Sequence, residues 1–436
     1  MKFATTTAVA AVLALGLAGA AAPALAKKKE DAQQAQGKAQ FSPAFRQAAQ
    51  PLQAAVQGGD VAAAQAALPA AQQAASTPDD KFNLGIMMFS LGQKTNNQDL
   101  QLQGADLSIQ SGKAPADTQA QLINAKGVIS YNKGDLAGAD AAFTQAFQQN
   151  PNDGDNAILL AQTKIREKQP QAALPIIDKA IQAKKASGQP VPQDWYQRAL
   201  AVSYDAKDAV GTVKYGQMLV AAYPSTTTWR TAVQTYRDVG ALDQQSQLDA
   251  LRLMRAAGAL AGERDYYEYA NLANDRGYPA EAKAVIDEGM ASSMVDKAAV
   301  AVRNSKALGE IKRIATPKIA ADKASLPAQD KAARAAGDGK KALNVGDAYL
   351  GYGMYPQAAE LFKLAAQKGG VDATVANLRL GEALARSGQK DAADQALASV
   401  TGPRQPLAQY WTIWNDQGAK PASAAAAQAP AAAPAQ

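Results

Sequence analysis

One arrangement of small and large apolar residues recurs along this chain, and a recurring unit restricts the possible folds more than any composition figure does. From Gly127, the positions seven, twelve, sixteen and nineteen residues on are Gly134, Ala139, Phe143 and Ala146. The same offsets lead from Gly346 to Gly353, Ala358, Phe362 and Ala365, and from Gly381 to Gly388, Ala393, Leu397 and Val400. Starting at Ala270 they reach Gly277, Ala282, Ile286 and Gly289; starting at Leu52 they reach Gly59, Ala64, Leu68 and Ala71. Ala161 yields Ala173, Ile177 and Ala180. Each copy holds two segments of about a dozen residues whose apolar spacing is helical. The glycine between them supplies the φ > 0 turn that ends the first helix. A small residue on helix one and an alanine twelve on let two backbones cross closely, and the large residue four further on fills the gap toward the next copy. Pro151 and Pro224 stop the second helix of their copies.

This pattern resembles the tetratricopeptide repeat, a helical hairpin of about 34 residues. The resemblance implies an all-α, right-handed superhelical solenoid of such hairpins. Copies fall at 43–76, 120–153, 154–187, 263–295, 339–372 and 374–405, with weaker ones at 79–112, 193–225 and 227–260. Residues 296–338 read as one degenerate repeat whose second helix is long or broken, interrupted by Pro317 and Pro327. Tyr410, Trp411 and Trp414 follow the last copy, where a capping helix is needed to cover an apolar face.

The chain contains no cysteine and no histidine in 436 residues. Disulfides, Cys/His zinc sites, thiolate nucleophiles, imidazole bases and Ser-His-Asp triads are therefore excluded. Carboxylate or lysine chemistry survives, but no phosphate-binding or nucleophile-elbow motif is present. The stretch from Asn150 to Asp155 faintly suggests a calcium loop, yet Leu160 stands where such a loop needs a bidentate glutamate, so it reads as a connection between repeats. A repeat array can be the arm of a murein-cleaving transglycosylase, but the segments outside repeats are too short for a catalytic domain. The expectation is no enzyme, no metal and no cofactor.

Met1, Lys2 and Phe3 precede a run without charge from Ala4 to Ala26 that closes on Ala24-Leu25-Ala26. This is the layout of a secretory signal peptide over 1–26, and it predicts an exported, periplasmic protein. A polar leader over 27–42, an N-terminal repeat array over 43–295, a basic segment over 296–338, C-terminal repeats with the capping helix over 339–417 and an Ala/Pro tail over 418–436 complete the expected organisation. Between Val300 and Val345 ten basic residues face four acidic ones, the same excess of six that the whole chain carries. A solvated helix face explains such a run. The alternative is weak contact of 300–345 with anionic surfaces or polymers of the envelope. Nucleic acid is not expected as a partner, because the protein is exported and no recognition motif is present.

In solenoids of this kind the first helices build a concave face where peptides or partner helices dock. Positions three before, one after and four after each small slot are the candidates for that face. They include Asn124 and Tyr131, Gln162 with Arg166 alongside, Arg230, Gln234 and Arg237, and Tyr267, Asn271 and Asn274. Amides, arginines and tyrosines suit peptide backbone and carboxylate. The family's clamp for C-terminal carboxylates is absent, since lysine and asparagine are not paired across neighbouring repeats at these positions. In the run Tyr266-Tyr267-Glu268-Tyr269, helical spacing predicts at least one tyrosine in the core and another in the groove. The leading expectation is a scaffold or adaptor for an envelope protein or peptide; the runner-up is a binder of cell-wall glycan or anionic polymer.

Overall fold

A computed structural model describes residues 39–295 and 306–419. The signal peptide over 1–26, nearly all of the polar leader, the start of the basic segment and the tail from residue 420 lie outside the described residues. The described chain is all-α and forms two compact units, Met1–Val191 and Pro192–Gln436.

Unit 1 is four consecutive hairpins: α1 and α2 (Pro43–Gly58, Val61–Ala74), α3 and α4 (Pro78–Lys94, Gln98–Gln110), α5 and α6 (Ala116–Lys133, Leu136–Gln149), and α7 and α8 (Gly154–Arg166, Pro170–Ala186). Unit 2 continues with α9 and α10 (Gln193–Asp205, Ala209–Ala222), α11 and α12 (Thr226–Val239, Gln244–Ala256), and α13 and α14 (Gly262–Asp275, Pro279–Ala291). After these come a long α15 (Lys306–Ala335), α16 and α17 (Lys340–Gly351, Tyr355–Lys368), α18 and α19 (Ala373–Arg386, Lys390–Ala398), and α20 (Gln405–Asp416).

The spacing rule of the repeat has a direct steric basis. A Cβ added to Gly127 would lie 2.5 Å from the Phe143 ring, and one on Gly346 would lie 2.7 Å from Phe362. At Gly381 the obstacle is Leu397, 2.4 Å away. In each case the small slot is empty because the large residue sixteen positions on fills it. The expected turn glycines Gly59, Gly134, Gly277, Gly353 and Gly388 all have φ between 72° and 85°. Where no glycine stands between the helices, Asn96, Lys168 and Lys207 take the left-handed conformation instead, at φ 52°, 61° and 55°. The α3 on α4 crossing also uses a glycine that the repeat pattern does not single out: a Cβ on Gly104 would lie 2.5 Å from the Gly85 carbonyl oxygen.

Three features of unit 2 depart from a regular array. First, α15 is one unbroken helix, the long of the two expected forms, and Pro317 and Pro327 do not interrupt it. Pro317 and Pro327 both point to solvent. There the carbonyls that lose their donors can turn to water, so the usual cost of an internal proline, about 3 kcal/mol, is softened. Burial of Leu308, Ile311, Ala315, Leu326 and Ala333 holds the helix down. Second, α12 does not pack closely on its hairpin partner α11 as the second helix of every other hairpin does. Third, α20 returns to the beginning of the unit and packs on α10. Tyr410 packs at a tilt against Trp229 and Tyr236, with ring centroids 6.1 and 5.9 Å apart. Gln417 accepts from the Trp229 indole at 3.1 Å and donates to the Val220 carbonyl at 2.8 Å. Tyr410, Trp411 and Trp414 are buried, so this helix covers apolar surface as a cap would and also brings the two ends of the unit together.

Candidate functional site

The candidate groove residues divide between the units. In unit 1, Tyr131 and Arg166 meet: the guanidinium carbon stands 4.4 Å from the ring centroid, and Nη1 donates to the Tyr131 carbonyl at 2.9 Å. Tyr131 is 8% exposed and Gln162 7%, so both are packing residues before they are binding residues. Asn124 is half-buried on the preceding turns of α5. Arg166 is the most accessible of the four.

In unit 2, two of the arginines are already engaged. Arg230 forms an ion pair with Asp265 across to α13, through both guanidinium nitrogens, and also donates to the Ala259 carbonyl at 3.3 Å. Arg237 is 5% exposed. It donates to Gln247 at 2.8 Å and to Gln234 at 3.2 Å, and it pairs with Glu268. Gln234 in turn donates to Asp238 at 3.0 Å. These side chains fasten α11 to α13 and to the first turn of α12. The expectation that Arg237 faces a partner is corrected by its burial against Glu268; Arg230 pairs with Asp265 while 35% of its side chain stays exposed.

Tyr267 behaves differently. Of the three crowded tyrosines, Tyr269 and Tyr266 are 0% and 4% exposed while Tyr267 is 40% exposed, the division that helical spacing predicts. Tyr267 and Asn271 help line an open depression of about 440 Å³. Leu242 and Leu272 form its apolar part, Gln244 and Gln247 contribute amides from the start of α12, and Arg264 and Glu268 supply charge from α13. Asn271 holds Asp275 at 3.0 Å; Asn274 lies half-buried one turn on and does not line the depression. The tyrosine-rich run pointed to this place. Leu242, Gln244 and Gln247 carry no such mark, because they reach the site only through the path that α12 takes.

A small apolar hollow bordered by amides, one arginine and an exposed tyrosine is suited to hold a side chain of an extended peptide and to pair with its backbone. Among the described residues no group of three or more acidic side chains is placed to hold a metal ion. None of the described helices is long and apolar enough to cross a membrane.

No protein-family model matches the sequence, and no curated protein matches it. Solved structures of helical-repeat proteins do align with it. One, the TPR2AB domain of yeast Sti1 in its complex with an HSP90 peptide, is 12% identical over 70% of this chain and 96% of that one, with a TM-score of 0.24. The P58(IPK) TPR domain is 13% identical over 79% and 98%, again at 0.24. The maize pentatricopeptide repeat protein PPR10 is 15% identical over 84% and 62%, at 0.30. Superposition at that level adds nothing to what the hairpins themselves display. On the glycine-to-aromatic crossings and the left-handed turns, the chain is an array of tetratricopeptide-like helical hairpins.

Proposed function

We propose that this chain is a non-enzymatic scaffold or adaptor, exported to the periplasm, which captures an envelope protein or peptide at the depression on α13. The observation that carries the reading is Tyr267. It is a large aromatic left 40% exposed beside Leu242, Leu272 and Arg264, in a fold that buries its other tyrosines on the same helix. Tyrosine and arginine are enriched among the few side chains that carry most of the binding energy at protein interfaces. The layout of residues 1–26 supports export.

The test is site-specific photo-crosslinking from position 271 in envelope extract, with wild type compared against Tyr267→Ala. A discrete adduct that the variant loses while keeping wild-type helicity is the expected outcome. An adduct pattern unchanged by the substitution would move the site elsewhere. Removal of residues 1–26 should retain the protein in the cytoplasm, as cell fractionation would read.

A second reading, contact with an anionic envelope polymer, draws on α15. Lys318, Lys323 and Lys331 are exposed there without an ion-pair partner among the described residues. Pelleting with cell wall, lost on changing these three lysines to glutamine and unaffected by Tyr267→Ala, would favour it.

A further inference from the structure

Helix α12 is the most enclosed element of unit 2. Each of its seven consecutive residues from Leu248 to Met254 is at most 1% exposed, whereas an ordinary outer helix of a repeat buries one stripe. Its backbone nevertheless stands off from α11, its own hairpin partner. On its other sides, long charged side chains join it to later helices of the unit. Glu281 of α14 grips Arg252 with both oxygens, at 2.8 and 2.7 Å. Asp249 accepts from Arg252 at 3.1 Å and lies 3.6 Å from Arg379 Nε of α18. Arg379 donates to Asp347 of α16 at 2.6 Å, and the Tyr269 hydroxyl donates to Glu281 at 2.8 Å. An amphipathic helix lying in a groove is answered in this way by a partner protein. Here the occupant comes from the same chain.

The seat of α12 is incompletely matched, because Asp249 Oδ2, Asp347 Oδ1 and Arg379 Nη2 are buried without a hydrogen-bond partner. A buried ion network roughly balances its own desolvation, so these orphaned atoms lower the cost of emptying the seat.

We propose that the inner face of unit 2, lined by Tyr269, Glu281, Asp347, Arg379 and Glu382, is a helix-receiving groove in which α12 is a resident, displaceable ligand. The foreign partner it fits is an amphipathic helix carrying the same Asp-x-x-Arg pair between leucines. As a tethered segment α12 has an effective concentration of about millimolar, so a free helix competes only when α12 is weakened or when it binds more tightly.

The experiment titrates a fluorescent peptide of residues 243–258 against the full chain. The Asp249→Ala/Arg252→Ala variant, if its helicity matches wild type, should bind the peptide at least about tenfold more tightly than wild type does. A peptide carrying Arg252→Ala should lose that gain. A well-folded variant that binds no better, or that does not distinguish the two peptides, overturns the proposal. If the variant fails to fold, native-state hydrogen exchange on the wild-type chain decides. A helix of 13 residues is marginal once released, so amides of 248–254 should exchange ahead of those of 229–236 and 266–273. Exchange of all three segments at one common rate overturns it.

Discussion

Gly346 and Phe362 act as one unit: the ring occupies the volume a side chain at 346 would need. Gly346→Leu, or Ala358→Leu on the facing helix, should therefore overpack the α16/α17 crossing and cost about 1–3 kcal/mol, read by thermal denaturation. Melting at the wild-type temperature in both variants would disprove the register. The turn residues make the opposite prediction. Lys207 holds φ 55°, a conformation that costs a residue with a side chain about 1 kcal/mol. Lys207→Gly should regain part of that, and a rise in Tm of unit 2 would show it; a fall would mean the lysine side chain does more than tolerate the turn.

At the scale of elements, α15 and α20 show how the unit is finished. Lys368 of α17 donates to the Ala333, Arg334 and Ala336 carbonyls, so a cation completes the C-terminal end of α15 where the helix dipole favours positive charge. Its basic excess is meanwhile spread over exposed positions, with Lys312 and Arg334 partly neutralised by Asp287, Asp330 and Glu360. Helix α20 contributes Trp411, fully buried and edge-on to Trp414 at 5.3 Å. Trp411→Ala should cost about 3–5 kcal/mol. Because α20 also contacts α10, amide protection should fall in 209–239 as well as in 373–416. Loss confined to the C-terminal helices would argue that the two ends of unit 2 do not stabilise each other.

For unit 2 as a whole, the enclosed charges set a pH profile. Burial pushes the Glu382 carboxyl up to about 7, only partly opposed by Arg252 and Arg386 and reinforced by Asp249 and Glu281. Glu281 is also desolvated, but Arg252 and the Tyr269 hydroxyl outweigh this and hold it at about 2. A carboxyl raised in the folded state stabilises it below the unfolded value near 4.5, and that contribution is lost as pH rises through 7. A carboxyl lowered in the folded state stabilises above 4.5, and that contribution is lost as pH falls toward 2. Unit 2 should therefore melt highest near pH 4.5–5 and lose stability in both directions. Glu382→Gln should flatten the slope between pH 4.5 and 7 in a series of thermal melts; an unchanged slope would remove Glu382 as its source.

What the sequence determined alone is the hairpin. Gly127 with Phe143, the five turn glycines and the split of Tyr266, Tyr267 and Tyr269 are all settled within about twenty residues, where helical geometry is the only constraint. Tertiary structure decided which polar faces meet water. The segment from Gln244 to Ala256 reads as an ordinary amphipathic helix, and nothing local tells whether Asp249 and Arg252 are answered by solvent or by Glu281 and Arg379. Their partners lie on α14 and α18, remote in the chain. The same holds for Arg230 and Arg237, whose pairing with Asp265 and Glu268 no local pattern shows. It holds too for α20, whose apolar face could be read as a cap while its seat on α10 and α11 could not. Local periodicity states that a face must be covered; only the packing of distant helices, which no periodicity encodes, states by what.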